Sequence, residues 1–161
     1  MILISYLLFL TFCKNRPVAG DSSQYIWNSN NQIVKEFTNM SKSDILEFYI
    51  LYSRYSDPGE YEYLYKDLPK SYTELSKLIN KQLLHPLKAM IEYRDHFSKE
   101  REWEELKSPN VETMLQMLLA YDQDGLTPSR KLEDRLILSC RYHALLLASI
   151  LKFQGIPVRV R

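Results

Sequence analysis

The chain has 161 residues and two cysteines, Cys13 and Cys140. Only Cys140 sits in company that has a use for a thiol. It opens the stretch from 139 to 161, SCRYHALLLASILKFQGIPVRVR. Ser139 is a residue type favoured at helix N-caps, which makes Cys140 the first residue of a helix. Free backbone N–H groups and the positive end of the helix dipole favour an anion at such a position. Thiolate is the nucleophilic form of cysteine, and the same N–H groups can receive a developing oxyanion. The competing role is that of a small, inert hydrophobe. Polar company from Ser139, Arg141, Tyr142 and His143 favours the reactive role, since an inert core cysteine belongs further along, among the leucines. His143 lies three residues on, so it shares a side of the helix with Cys140. The ordinary role of such a histidine is a packed or solvated polar residue near the helix start. Asp134 and Arg135 read as a structural ion pair that fixes the approach, and Arg159 as a partner for a carboxylate near its turn.

Other chemistries find less support. His85, His96 and His143 have no ligand spacing with the cysteines and form no HExxH pair, so no metal and no cofactor are expected. Two cysteines make no disulfide framework and fit a reducing, cytoplasmic compartment. The formal net charge is +1, with both signs interspersed and no basic stripe, so no nucleic-acid partner is expected. Apolar residues make up 45% and charged residues 25%, enough for a soluble core. Residues 1–20 begin with the apolar MILISYLLFLTFC, too short to span a bilayer and without a basic region ahead of it. Export through this segment is the alternative to a cytoplasmic location. No feature specifies an oligomeric state.

The elements that must position Cys140 are mostly helical. Residues 20–31 are polar and read as loop. SKSDILEFYILYSR, from Ser41 to Arg54, opens with an S-x-x-D capping pattern and reads as a helix ended by Asp57-Pro58-Gly59. Tyr49, Tyr52, Tyr55 and the YEYLY run at 61–65 are expected to pack as a half-buried face rather than to stack on a ligand. Ser71 and Glu74 form a second capping pattern, with Leu75, Leu78, Ile79 and Leu83 on one face and an interruption at His85-Pro86. LKAMIEYRDHFSKEREWEELK is charged and reads as a solvated helix or connecting arm. Ser108-Pro109 starts a helix with Val111, Met114, Leu115, Leu118 and Leu119 on its apolar face, ended by Asp122 to Gly125. Residues 127–138 are a loop or short helix leading to Ser139. From Ala144 to Phe153 almost no polar face is left, as expected of a helix covered on all sides. Gly155 supplies the left-handed cap and Pro157 forbids continuation. Val158 and Val160 alternate with Arg159 and Arg161, as at the start of a strand.

The segment from Leu132 to Arg161 resembles the nucleophile region of the transglutaminase-like superfamily, a papain-like cysteine fold. In that family a cysteine opens the central helix, with a small residue four positions on, here Ala144. The helix ends in a Gly-Ile-Pro-(Ala/Val)-Arg turn, here Gly155 to Arg159, and LEDRLILS resembles the approach in bacterial members. The resemblance implies an α+β fold of which mainly the helical half and the first strand are present, so that this chain is mostly α. It divides the chain into the apolar segment 1–20, a helical region 21–126 and the start of the core at 127–161. It makes Cys140 the nucleophile of acyl transfer or hydrolysis at an amide of a peptide or protein. The family's His and Asp follow on later strands and have no matching positions here. The chain is therefore expected to be the N-terminal part of a longer protein, inactive alone, marginally stable and prone to aggregate. The rival expectation is a non-enzymatic helical module that binds a partner through its Tyr-rich and Met-rich faces, including Met114 and Met117, with Cys140 structural.

Overall fold

The computed structural model of this chain describes residues 41–93 and 96–160. The apolar run, the polar stretch at 20–31 and Cys13 lie outside the described residues. Helix α1 (Lys42–Ile50) starts at the capping box: Ser41 Oγ accepts the N–H of Asp44 at 3.2 Å, and the Asp44 carboxylate accepts the N–H of Ser41 at 2.9 Å. The helix stops at Ile50, short of Arg54. A further turn would need the carbonyls of Tyr49 and Leu51. Lys152 Nζ takes both, at 2.5 and 2.7 Å, and Val158 N–H also donates to the first at 3.2 Å.

Asp57-Pro58-Gly59 breaks the chain as expected. A short 3-10 helix, Gly59–Tyr65, follows and carries the tyrosine run. Tyr65 is buried, its hydroxyl 2.9 Å from Ser149 Oγ and its ring edge-on to Phe153. Tyr55 and Tyr61 pack against the same core, while Tyr63 is exposed. Burial raises the Tyr65 hydroxyl far above the usual tyrosine range, so it stays a neutral hydrogen-bonding group.

Helix α2 (Tyr72–Gln82) buries Leu75, Leu78 and Ile79, with Leu83 just beyond it, as the spacing predicts. Its N-cap is Ser71, but that side chain makes no capping bond. Strand β1 (Leu83–Leu84) comes next. His85 then caps helix α3 (Pro86–Glu92), its Nδ1 accepting the N–H of Leu87 at 3.2 Å. The charged stretch after it is no continuous solvated arm. It breaks after α3 and resumes as a 3-10 helix, Lys99–Trp103, and the short helix α4 (Glu104–Lys107). The expectation fails because two of its carboxylates turn inward, as described below. Helix α5 (Val111–Tyr121) is capped by Asn110, whose Oδ1 accepts the N–H of Thr113 at 2.9 Å. Val111, Met114, Leu115 and Leu118 are fully buried, and Ser108 Oγ donates to Met117 Sδ at 3.0 Å. Met114 is therefore core, and Met117 is half-buried against it. A 3-10 turn, Leu132–Asp134, leads to β2 (Leu136–Ile137) and then to helix α6 (Cys140–Phe153).

Strands β1 and β2 pair in parallel, Leu83 with Leu136 and Leu84 with Ile137. The fold is thus a mostly helical domain with a small two-stranded parallel sheet. Helix α6 runs through its middle. Leu146 and Ile150 are fully covered, and its neighbours in the main core come from α2, α5, the tyrosine turn and the chain around Leu126 and Leu136. Behind Gly155, at φ +75°, the N–H of Ile156 reaches the carbonyl of Leu151 at 2.9 Å and that of Gly155 reaches Lys152 at 3.0 Å. This is a Schellman ending. The strand expected from Val158 does not form among the described residues. Residues 156–160 form no ladder, because the sheet lies ahead of α6 and no described strand borders them. No helix among the described residues is long and apolar enough to cross a membrane.

Candidate active site

Cys140 is the first residue of α6 and its side chain is exposed. Ser139 is the N-cap by backbone conformation, at φ −67° and ψ 168°, yet its hydroxyl makes no capping bond. It is held from outside the helix. Both its N–H and its Oγ donate to the carboxylate of Glu105, at 3.2 and 3.0 Å. Tyr142 hydroxyl donates to the Glu105 carbonyl at 3.0 Å. Burial, and then the Glu105 charge, raise the Tyr142 hydroxyl above its ordinary value. One residue of α4 therefore fixes both ends of the first turn of α6. Its carboxylate is also an anion lodged at the end of the helix where anions are stabilised.

Glu104, beside it, is 2% exposed. Its Oε1 accepts from Arg101 Nε at 2.6 Å and from Tyr121 hydroxyl at 2.8 Å, and its Oε2 from the N–H of Ile137 at 2.6 Å. A buried carboxylate is tolerable only when its lone pairs are so occupied. Leu138 N–H points to Leu84 across the ladder, so the N–H groups of Ile137 and Ser139 point away from it. These would bind a further strand. Glu104 and Glu105 stand in for that strand's carbonyls and close the edge.

The histidine of the sequence motif does not meet the thiol. His143 Nδ1 lies 3.1 Å from the Ser139 carbonyl. Burial holds this imidazole below the ordinary histidine range, and His85 pushes the same way. Among the described residues no hydrogen bond or ion pair joins Cys140 to a base. His85 is occupied in capping α3, and His96 stacks edge-on against Tyr93. Arg135 does not pair with Asp134, since its Nε donates to the Arg130 carbonyl at 3.2 Å. Arg159 lies over the Tyr49 ring, 5.9 Å from its centre, and pairs with no carboxylate among the described residues. No group of three His, Cys, Asp or Glu side chains among the described residues is placed to hold a metal ion.

What remains at the start of α6 is an exposed thiol with the N–H groups of Cys140 and Arg141, which meet no acceptor among the described residues. An exposed thiol and two unpaired backbone donors are present there, and no described side chain hydrogen-bonds the thiol. Sequence reasoning reached Cys140, Ser139 and Gly155. It missed Glu104 and Glu105, whose partners lie in β2 and at Ser139, and no local pattern distinguishes them from the solvated charges around them. No protein-family model, no curated protein and no solved structure matches this chain.

Proposed function

We propose that Cys140 is the nucleophile of a transglutaminase-like acyl transfer or hydrolysis at a peptide or protein amide. The observation that carries the reading is an exposed thiol at the first residue of a helix whose body is the centre of the core. Rigid burial of the helix holds the sulfur in place, as positional catalysis requires. The Gly155-Ile156-Pro157-Val158-Arg159 turn at its far end supports the same reading through the family resemblance. The thiolate would attack the amide carbonyl carbon, forming a C–S bond. The N–H groups of Cys140 and Arg141 would receive the oxyanion. The C–N bond then breaks, the leaving amine takes a proton, and water or another amine releases the thioester. The resemblance assigns the proton transfer to a histidine oriented by an aspartate, and no described residue matches either. The described residues alone are expected to turn over little substrate. Alkylation with iodoacetamide at neutral pH tests the nucleophile: Cys140 should react several-fold faster than N-acetylcysteine, and Cys140→Ser should abolish the fast phase. Equal or slower reaction in a folded sample overturns the proposal.

A second reading, a non-enzymatic helical interaction module, has an observation of its own. Leu87, Met90 and Ile91 are 54, 62 and 70% exposed along α3, and Leu106 is 73% exposed on α4. Met114 cannot serve it, being fully buried, and Met117 is half-buried against the core. Under this reading Cys140→Ser leaves every measurable property intact.

A further inference from the structure

Helix α3 is apolar on the side it shows to solvent. Its inward side is Ala89, with Tyr93 one turn on, packed against Leu84 and Ile137 of the paired strands. Its outward side carries Leu87, Met90 and Ile91, where a solvated helix would carry charge. Beside these run Lys88 and Glu92, one turn apart, with Nζ 3.8 Å from the carboxylate. Both side chains remain half-exposed, so each has room for a second ionic partner. The placing of these two charges selects what can cover the face. When two copies of one helix pack antiparallel about a twofold axis, the same flank of each comes together, and the contact is self-complementary. Lys88 and Glu92 lie equally far to either side of Met90. An axis through Met90 therefore sets Lys88 of each copy beside Glu92 of the other and brings Leu87 of one copy near Ile91 of the other. A parallel pair would join unlike flanks and leave the charges unmatched. The contact is small. Three aliphatic side chains on a seven-residue helix fall short of the roughly 1,200 Å² of a standard interface.

We propose that the outward face of α3 binds a second copy of this chain, as a weak and reversible antiparallel dimer with its twofold axis at Met90. Leu87, Met90 and Ile91 of the two copies cover one another, and two reciprocal Lys88–Glu92 pairs fix the direction. The dimer holds whichever role Cys140 has, and its test does not touch the thiol.

The test is sedimentation of the full chain over a concentration series at low ionic strength. Wild type should show a monomer–dimer equilibrium that added salt weakens. Lys88→Glu makes the flank wholly acidic and Glu92→Lys makes it wholly basic. Each turns both reciprocal pairs from attraction to repulsion and should weaken the dimer by about tenfold. An equimolar mixture of these two variants should dimerise at least as well as wild type, because an acidic flank then meets a basic one. Restored dimer on mixing also shows that both variants are folded, and the loss of an ion pair within one chain cannot produce it. Lys88→Glu with Glu92→Lys in one chain should restore the homodimer. A monomer at every concentration overturns the proposal, and slow hydrogen exchange of α3 in that monomer would give the face to the chain's own residues 1–40. Single reversals that leave the dimer as tight as wild type also overturn it, as does a mixture that shows no rescue.

Discussion

At the scale of single residues, the start of α6 holds two opposed features. The thiol sits where a helix favours an anion, and Glu105 already supplies one through Ser139. Removing that charge should favour the thiolate. Glu105→Gln is expected to speed alkylation of Cys140 relative to wild type, and a slower rate would show that Glu105 matters through position alone. His143 makes a separate, pH-dependent contribution. Burial lowers its affinity for a proton in the folded state, against the pull of the Ser139 carbonyl. As pH falls through the ordinary value of 6.5 toward the lower folded one, the unfolded chain takes a proton that the folded chain resists. The stability is fully present above that window and is lost on descending through it. Urea midpoints measured at about pH 8 and about pH 5 should drop more for wild type than for His143→Gln. Parallel curves would rule out His143 as the source.

At the scale of elements, side chains finish the outer edge of the parallel pair at β2. Glu104 serves the edge of β2, and its replacement by alanine leaves Arg101 and the Ile137 N–H without their shared acceptor. A loss of about 3 kcal/mol is expected in chemical denaturation, the range for removing one member of a buried pair. Arg130 works in the same manner across α2, α5 and the loop that follows α5. Its guanidinium donates to Gln82 Oε1 at 2.6 Å, to the Asp122 carbonyl at 2.9 Å and to the Gly125 carbonyl at 2.8 Å. Gly155→Ala should cost about 1 kcal/mol from backbone conformation alone, since nothing lies within 4 Å of the added Cβ. A larger loss would point to an unseen contact. The helices of apolar period were legible in the sequence, because Leu75, Leu78 and Ile79, or Val111, Met114 and Leu118, declare one face by spacing alone. The start of α6 was legible from Ser139 and its end from Gly155 and Pro157. Gln82 with Arg130, and Glu104 with Ile137, were not. Those partners are remote in sequence, and a charge that will be buried has the same local pattern as one that stays in water. The strand expected from Val158 failed for the complementary reason. Alternation describes a strand's side chains, not the neighbour that must accept its N–H groups.

At the scale of the whole molecule, the most exposed aliphatic side chains among the described residues lie on α3 and α4. Leu87, Met90 and Ile91 follow the i, i+3, i+4 spacing of one helical face. Lysine at Met90 and Ile91 should leave the melting temperature unchanged while lowering light scattering at high concentration. Unaltered scattering would place self-association elsewhere. The pairing of Leu83 with Leu136 also dictates an order of events during synthesis. Local turns of helix can condense as soon as they leave the ribosome, whereas a parallel pair must wait for the intervening chain and then bear the entropy of closing that loop. Until Leu136 emerges, Leu83 and Leu84 have no companion strand, and the nascent polypeptide carries an adhesive stretch that only its own later portion can shield.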